Sequence, residues 1–249
     1  MTSKNKIFAA AQITSLRGDI ETNLATHKRT TELAAKEGVQ LLVFPELSLT
    51  GYEMDLAEAL QITPTDRIFD PLQKLAHDHN MRVLVGAPIK ATAGKPYLAA
   101  VILGGNEPEI YAKIHLHGAE NDYFQCGTNH KVIPHSAGHI GCAICADLTH
   151  TSHAAGAHAA GADVYAVGAL INEAAWAREE PLLHGYAQNH DMTVVFSNFA
   201  TKSGAYTPVG KSSIWAPGGA LVAQAKGTEE CLVIARQSGH DWRGKTVSL

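Results

Sequence analysis

Gly138-His139-Ile140-Gly141-Cys142-Ala143-Ile144-Cys145-Ala146-Asp147-Leu148-Thr149-His150 is the stretch on which the reading of this chain turns. Ile140–Ile144 mixes small and β-branched residues, which predicts a buried strand. Thr149–Ala162 is alanine-rich and free of proline, and it reads as a helix despite Gly156 and Gly161. Asp147 or Thr149 is placed to cap its start. Cys145 then stands at a strand-to-helix turn, where a thiol faces the first unpaired N–H groups of the helix and the thiolate is favoured. That makes Cys145 a candidate nucleophile. The competing reading is that Cys142 and Cys145 are two small core residues, the usual place of a free cysteine. On a regular strand Cys142, three residues earlier, faces away from any pocket that Cys145 faces. The stretch by itself leaves both readings open.

Upstream, Lys6–Ile13 reads as a strand, Leu16–Asn23 as a loop, Leu24–Lys36 as a helix stopped at Gly38, and Gln40–Phe44 as a buried strand. Strand, helix and strand in the first 45 residues mark an α/β chain. Glu46 follows the second strand at once, beside Pro45, at a strand end where such folds collect their sites. Leu56–Ile62 reads as a short helix, Pro71–His79 as another, and Arg82–Ile89, Tyr97–Leu103 and Glu109–Lys113 as an antiparallel meander that ends on Lys113. Downstream, Asp163–Leu170 and Met192–Ser197 are strands around a long helix, Glu173–His190. Ser212–Trp215 is a further strand, and Leu221–Ala225 with Cys231–Ala235 forms a closing hairpin. With no linker, repeat or low-complexity tract, residues 1–249 read as one domain, its polar tail Gln237–Leu249 free to leave it.

At 249 residues and 45% hydrophobic content the chain can bury a sizeable core. A net charge of −4 without a basic run argues against nucleic acid or acidic membrane surfaces as partners. The N-terminus lacks the pattern of a signal peptide, and no apolar run approaches the ~20 residues of a membrane span. Cys126, Cys142, Cys145 and Cys231 match neither a disulfide framework nor a zinc knuckle, so reduced thiols and a cytoplasmic protein are expected.

Phe44-Pro45-Glu46 after a strand, Tyr111-Ala112-Lys113 ending one, and Ile144-Cys145-Ala146-Asp147 at a turn stand in the chain order of a known catalytic set. Together they resemble the nitrilase superfamily of carbon–nitrogen hydrolases, in its amidase-like branches. The likeness runs from Ile7–Gln12 to Ser212–Ala225, and Gln40–Tyr52 is especially close to the family's first motif. It implies a four-layer α-β-β-α sandwich and a Glu46–Lys113–Cys145 triad. Glu120 matches a second glutamate that many members carry, and members commonly form a homodimer or a larger homo-oligomer. Thr149 replaces an arginine frequent in the amidase branch, the Lys113–Glu120 connection is short, and Ala146-Asp147 stand where true nitrilases carry Trp-Glu.

The chemistry expected is hydrolysis of a small linear amide or N-carbamoyl compound through a thioester, with no metal and no cofactor. Glu46 serves as base, Lys113 and the Ala146 N–H as oxyanion donors, and Glu120 holds Lys113 or the substrate in place. Loops around Tyr52, Tyr123, Phe124 and Asn172 are expected to shape the substrate pocket. The alternative is a non-catalytic ligand-binding protein on the same fold. The pairs His150/His153 and His115/His117 raise a metal-dependent hydrolase, but each lacks a convincing third ligand. A papain-like pairing of Cys145 with a distant histidine also stays open.

Overall fold

The computed structural model describes residues 5–249; the first four residues, part of the N-terminus read as lacking a signal segment, lie outside the described residues. In chain order the elements are β1 (Lys6–Gln12), α1 (Ile20–Lys36), β2 (Leu41–Val43), α2 (Asp70–Asp78), β3 (Arg82–Ile89), β4 (Tyr97–Leu103), β5 (Glu109–Ala112) and the short α3 (Glu120–Tyr123). There follow β6 (Val132–Ile133), β7 (Ile140–Ile144), α4 (Thr151–Ala159), β8 (Val164–Gly168), α5 (Glu173–Asn189), β9 (Thr193–Ser197), β10 (Ser213–Trp215), β11 (Leu221–Gln224), β12 (Cys231–Ser238) and β13 (Asp241–Ser248).

The strands form two sheets, a seven-stranded one ordered β13-β12-β1-β2-β3-β4-β5 and a six-stranded one ordered β11-β10-β9-β8-β7-β6. The period-two rule sorts their side chains. Phe8 and Ala10 of β1 pack between the sheets with Ile140, Cys142 and Ile144 of β7. Ile7, Ala9 and Ala11 face the other way, onto Ala34 of α1 and Leu72 and Ala76 of α2. On the far side Tyr165 and Val167 of β8 meet Ala154 and Ala157 of α4 and Trp176, Leu183 and Tyr186 of α5. These three apolar seams make the expected α-β-β-α layering.

Several boundaries differ from the sequence reading. Helix α1 starts a turn early because Asp19 accepts from the Thr22 N–H at 3.1 Å and caps it. The helix expected over Leu56–Ile62 is only a 3₁₀ turn at Met54–Leu56. The expected closing hairpin is absent: β11 pairs β10 and β12 pairs β1, in different sheets. The Gln12 amide holds that crossing, donating to Gly227 O and Glu229 O at 2.9 Å each. The tail stays on the sheet, where β13 runs antiparallel along the whole of β12 and forms its edge. Trp176, Leu183 and Tyr186 of α5 are buried against their own sheet. Among the described residues no helix is long and apolar enough to cross a membrane.

One close approach positions the site. The backbone of Pro45–Leu47 leaves β2 and passes between Gly86 of β3 and Gly168 of β8, one in each sheet. A Cβ on Gly86 would lie 2.3 Å from Leu47 N and 2.5 Å from Pro45 O, and one on Gly168 would lie 2.5 Å from Phe44 O. Helix α1 braces the same loop: Asn23 Nδ2 donates to Leu49 O at 3.0 Å, and His27 Nε2 lies 2.9 Å from Ser48 Oγ. His27 donates from Nδ1 to Asn23 O, and burial pushes its pKa down to about 4, so the ring is neutral and Nε2 accepts the serine proton.

Gly86→Ala and Gly168→Ala should therefore each cost about 1–3 kcal/mol by overpacking. Gly185→Ala on α5, whose nearest neighbour is 3.7 Å away, should raise stability by about 0.5–1 kcal/mol. Thermal unfolding of the three variants checks this; a Gly86→Ala protein as stable as Gly185→Ala would show that the Glu46 loop is not clamped.

Candidate active site

Strand β7 delivers Cys145 to the end of the second sheet. The chain turns there with Cys145 at φ +44°, a left-handed conformation that costs a non-glycine residue of order 1 kcal/mol or more. Asp147, wholly buried, holds the turn. Its Oδ2 accepts from Ile144 N at 3.0 Å and from the Tyr111 hydroxyl at 2.6 Å, and its Oδ1 accepts from His115 N at 2.9 Å. Since Tyr111 donates to Asp147, it accepts from His153 Nε2 at 2.8 Å, which leaves His153 Nδ1 to accept from Tyr165 at 2.8 Å. Burial pushes His153 down to about 4, in keeping with that neutral ring. Asp147 thus caps the 3₁₀ turn Cys145–Thr149 and not the helix after it; α4 begins only at Thr151 and has no side-chain cap.

Beside the cysteine lies a buried charge cluster. Lys113, just past the end of β5, has no exposed surface, and Glu46 and Glu120 are each 1% exposed. Lys113 Nζ donates to Glu46 Oε1 at 2.6 Å and to both Glu120 oxygens at 2.8 Å. Burial alone would lower the lysine pKa, but Glu46, Cys145 and Glu120 outweigh it and the ammonium is held charged. Glu120 also accepts from the Tyr52 hydroxyl at 2.6 Å and from His117 N at 2.7 Å, so its position is fixed from three sides. Glu46 keeps one oxygen, Oε2, buried and unpartnered. Burial pushes Glu46 up to about 7, with Lys113 opposing.

Burial works against the thiolate that the N–H groups of the turn favour. Burial and then Glu46 push the Cys145 thiol well above its ordinary value, and Lys113 offsets them only in part. The thiol donates to Leu170 O at 3.7 Å. Cys142 is buried between the sheets, and burial pushes its thiol up to about 12.

Cys145 opens onto a cavity of about 400 Å³. Tyr52, Glu120, Ala146 and Asn172 also line it. Asn172 has a second task, because its Oδ1 caps α5 by accepting from Ala175 N at 3.0 Å. Glu46 and Lys113 lie outside this wall, enclosed against Cys145 and Glu120. Tyr123 and Phe124 do not line the cavity: Tyr123 is 39% exposed and Phe124 is packed between the sheets. The short helix α3 turns Glu120 inward, and its neighbours consequently point elsewhere. Sequence reasoning missed one face of α5, formed by Ala175, Arg178, Glu179 and Leu182, as well as His117 and Tyr206. The i, i+3, i+4, i+7 spacing on α5 was the available signal, but Trp176 and Leu183 on the adjoining stripe carried the stronger one.

Three of the four histidines raised as metal ligands are engaged elsewhere, and His117 lines the cavity. His150 Nδ1 lies 2.9 Å from Ala146 O, His115 Nδ1 lies 3.0 Å from Asp147 Oδ1, and both nitrogens of His153 are bonded. Among the described residues no group of three or more His, Cys, Asp or Glu could hold a metal ion.

Known proteins share this fold. An amidase from Nesterenkonia sp. superposes with a TM-score of 0.85 over 97% of this chain and 93% of its own, at 22% identity, which shows a shared fold. A variant of the amidase from Nesterenkonia sp. AN1, with a TM-score of 0.84 over 95% and 91% of the two chains at 22% identity, carries an acetamide moiety added covalently at its active-site cysteine. A nitrilase from Pyrococcus abyssi is 27% identical over 91% of this chain and 87% of its own. A deaminated glutathione amidase from Synechocystis sp. is 29% identical over 58% of this chain, and the match spans only 59% of that protein. The family profile described as carbon–nitrogen hydrolase matches residues 8–243, nearly the whole fold, and the chain is a member of that family.

Proposed function

We propose that this protein hydrolyses a small linear amide or N-carbamoyl compound through a thioester on Cys145, releasing ammonia or an amine. The observation that carries the reading is the meeting of Cys145, held at a strained turn on the cavity, with the buried Glu46–Lys113–Glu120 cluster. The amidase names of the relatives support the substrate class. A cavity of about 400 Å³ suits a small molecule.

The resting thiol is neutral and needs a base as it attacks. Glu46, whose Oε2 has no partner, takes the thiol proton while sulfur bonds to the carbonyl carbon. The carbonyl oxygen gains the charge, and the Ala146 N–H and the Lys113 ammonium stabilise it, each such donor being worth about 3–4 kcal/mol. Glu46 then gives its proton to the departing nitrogen and the C–N bond breaks. Water, deprotonated by Glu46, attacks the thioester; the acid leaves and the proton returns to sulfur. Glu120 holds Lys113 and keeps it charged. We also propose a homodimer in the cytoplasm, which the family resemblance and the four free cysteines support; light scattering giving the mass of one chain would overturn the dimer.

Incubation with primary amides, N-carbamoyl amines and nitriles, scored by ammonia release, should give turnover with the first or second class. Cys145→Ala should lose that turnover at unchanged folding, and Cys142→Ala should keep it. The reverse pattern would displace the nucleophile, and no release from any class would favour a binding protein.

The acid limb of the pH profile follows from Glu46. The base must be ionised, and burial raises its pKa to about 7. For an uncharged amide, kcat/KM should therefore fall below about pH 7, approaching tenfold per unit. Glu46→Gln should cost at least ~100-fold in kcat, the low end for a lost general base. A profile level down to pH 5 would contradict this role.

A further inference from the structure

Glu179 is a carboxylate that the catalytic scheme does not use. It lies on the cavity wall with only 9% of its surface exposed, and its Oε2 is buried without a hydrogen-bond partner. An unsatisfied buried polar group costs about 1–3 kcal/mol, and a charged one more. A residue that only covered the sheet would be apolar at that position. Its sequence neighbour Arg178 does not satisfy it: adjacent helical residues do not face each other, Arg178 is exposed, and no ion pair joins the two among the described residues. The other acid on this wall, Glu120, is already bound by Lys113, Tyr52 and His117 N. Glu179 is a carboxylate on this wall with no hydrogen-bond partner for its buried Oε2 among the described residues.

Its surroundings set the shape of the ligand. Glu179 stands one helical turn beyond Ala175, about 6 Å along the axis of α5. The cavity wall also carries the apolar or small residues Ala146, Leu170, Ile171, Ala174 and Ala175, and Leu182 lies one turn from Arg178. That surface suits methylene groups and offers them no polar partner. Burial pushes Glu179 up to about 7, against the pull of Arg178, and an arriving cation would stabilise the ionised form.

Resting on the hydrolase reading above, we propose that Glu179 is the specificity residue of this cavity and selects linear amides whose far end carries an ammonium group. The scissile carbonyl lies at Cys145, a short methylene chain runs along the alanines, and the ammonium donates to the Glu179 carboxylate. A charge-assisted hydrogen bond in a site shielded from water is strong enough to separate such a substrate from its neutral isostere.

The experiment compares ω-amino amides of three to six carbons with alkyl amides in which a methyl group replaces the ammonium, and with ω-carboxy amides of matched length. In the wild-type protein kcat/KM should favour the ammonium compound over its isostere by at least about tenfold at the best length, with the carboxylate compound poorest. Glu179→Gln should bring that ratio near one. The ratio is independent of how much variant is folded, so a partly unfolded preparation does not blur the result. The same pairs are titrated by calorimetry into Cys145→Ala and into Cys145→Ala/Glu179→Gln, where no turnover is needed. A binding preference that Glu179→Gln removes supports the subsite even if the wild type hydrolyses nothing, an outcome that would sink the hydrolase reading alone. No preference at any length, a preference unchanged in Glu179→Gln, or tightest binding of the carboxylate compound would overturn the proposal.

Discussion

A lysine ammonium cut off from water survives only where negative charge surrounds it, and at Lys113 the protein meets that requirement with two carboxylates, Glu120 seven residues on and Glu46 sixty-seven residues back in the chain. Removing an ion from water costs several kcal/mol even after relaxation, and loss of one partner from such a pair typically costs 3–5 kcal/mol. Glu46 arrives from the end of β2 and Glu120 from α3. The lysine also continues the β4–β5 ladder, since its N–H donates to Leu98 O at 2.9 Å and its carbonyl accepts from Gly127 at 2.7 Å. The cluster is therefore welded to the first sheet by backbone as well as by charge. Cys145 belongs to the second sheet, so the site exists only while the two sheets keep their spacing.

That spacing is set by contact. The Pro45–Leu47 backbone fills the gap between Gly86 and Gly168, too tight for any side chain there. On the cysteine side, Asp147 links the turn to Tyr111 of β5 and to His115 just beyond Lys113. Two independent ties thus run between the sheets, one through the glutamate loop and one through Asp147. Together they hold a strained cysteine beside a carboxylate, Glu46, whose Oε2 has no hydrogen-bond partner. In the proposed reaction such preorganisation would spare the ordering of these groups when substrate arrives.

The parts legible in the sequence were those fixed by strand ends. Glu46, Lys113 and Cys145 each follow a short apolar run, and the period-two pattern places them where sheets deliver side chains. The same rule turned Cys142 away from the pocket that Cys145 faces. The helix argument for the thiolate weighs only local N–H groups, whereas burial and a carboxylate from the other sheet push the thiol the opposite way. Leu221–Ala225 and Cys231–Ala235 looked like a hairpin because their loop is short, yet Gln12, more than two hundred residues away in the chain, sends them to different sheets. The cavity wall was the least legible part. Helix α5 has one stripe for the sheet and another for the cavity, and only the tertiary structure tells them apart. Pro181 inside that helix gave no hint of either.

The central claim is that Cys145, under this charge cluster, carries the acyl group. It is tested by loading the protein with a p-nitrophenyl ester of a short acid, whose leaving group makes acylation fast, then quenching in acid and locating the added mass by peptide fragmentation. The account predicts one acyl group per chain, on Cys145. An acyl group on Cys142 or on any other residue, or none while the ester is consumed, would contradict it.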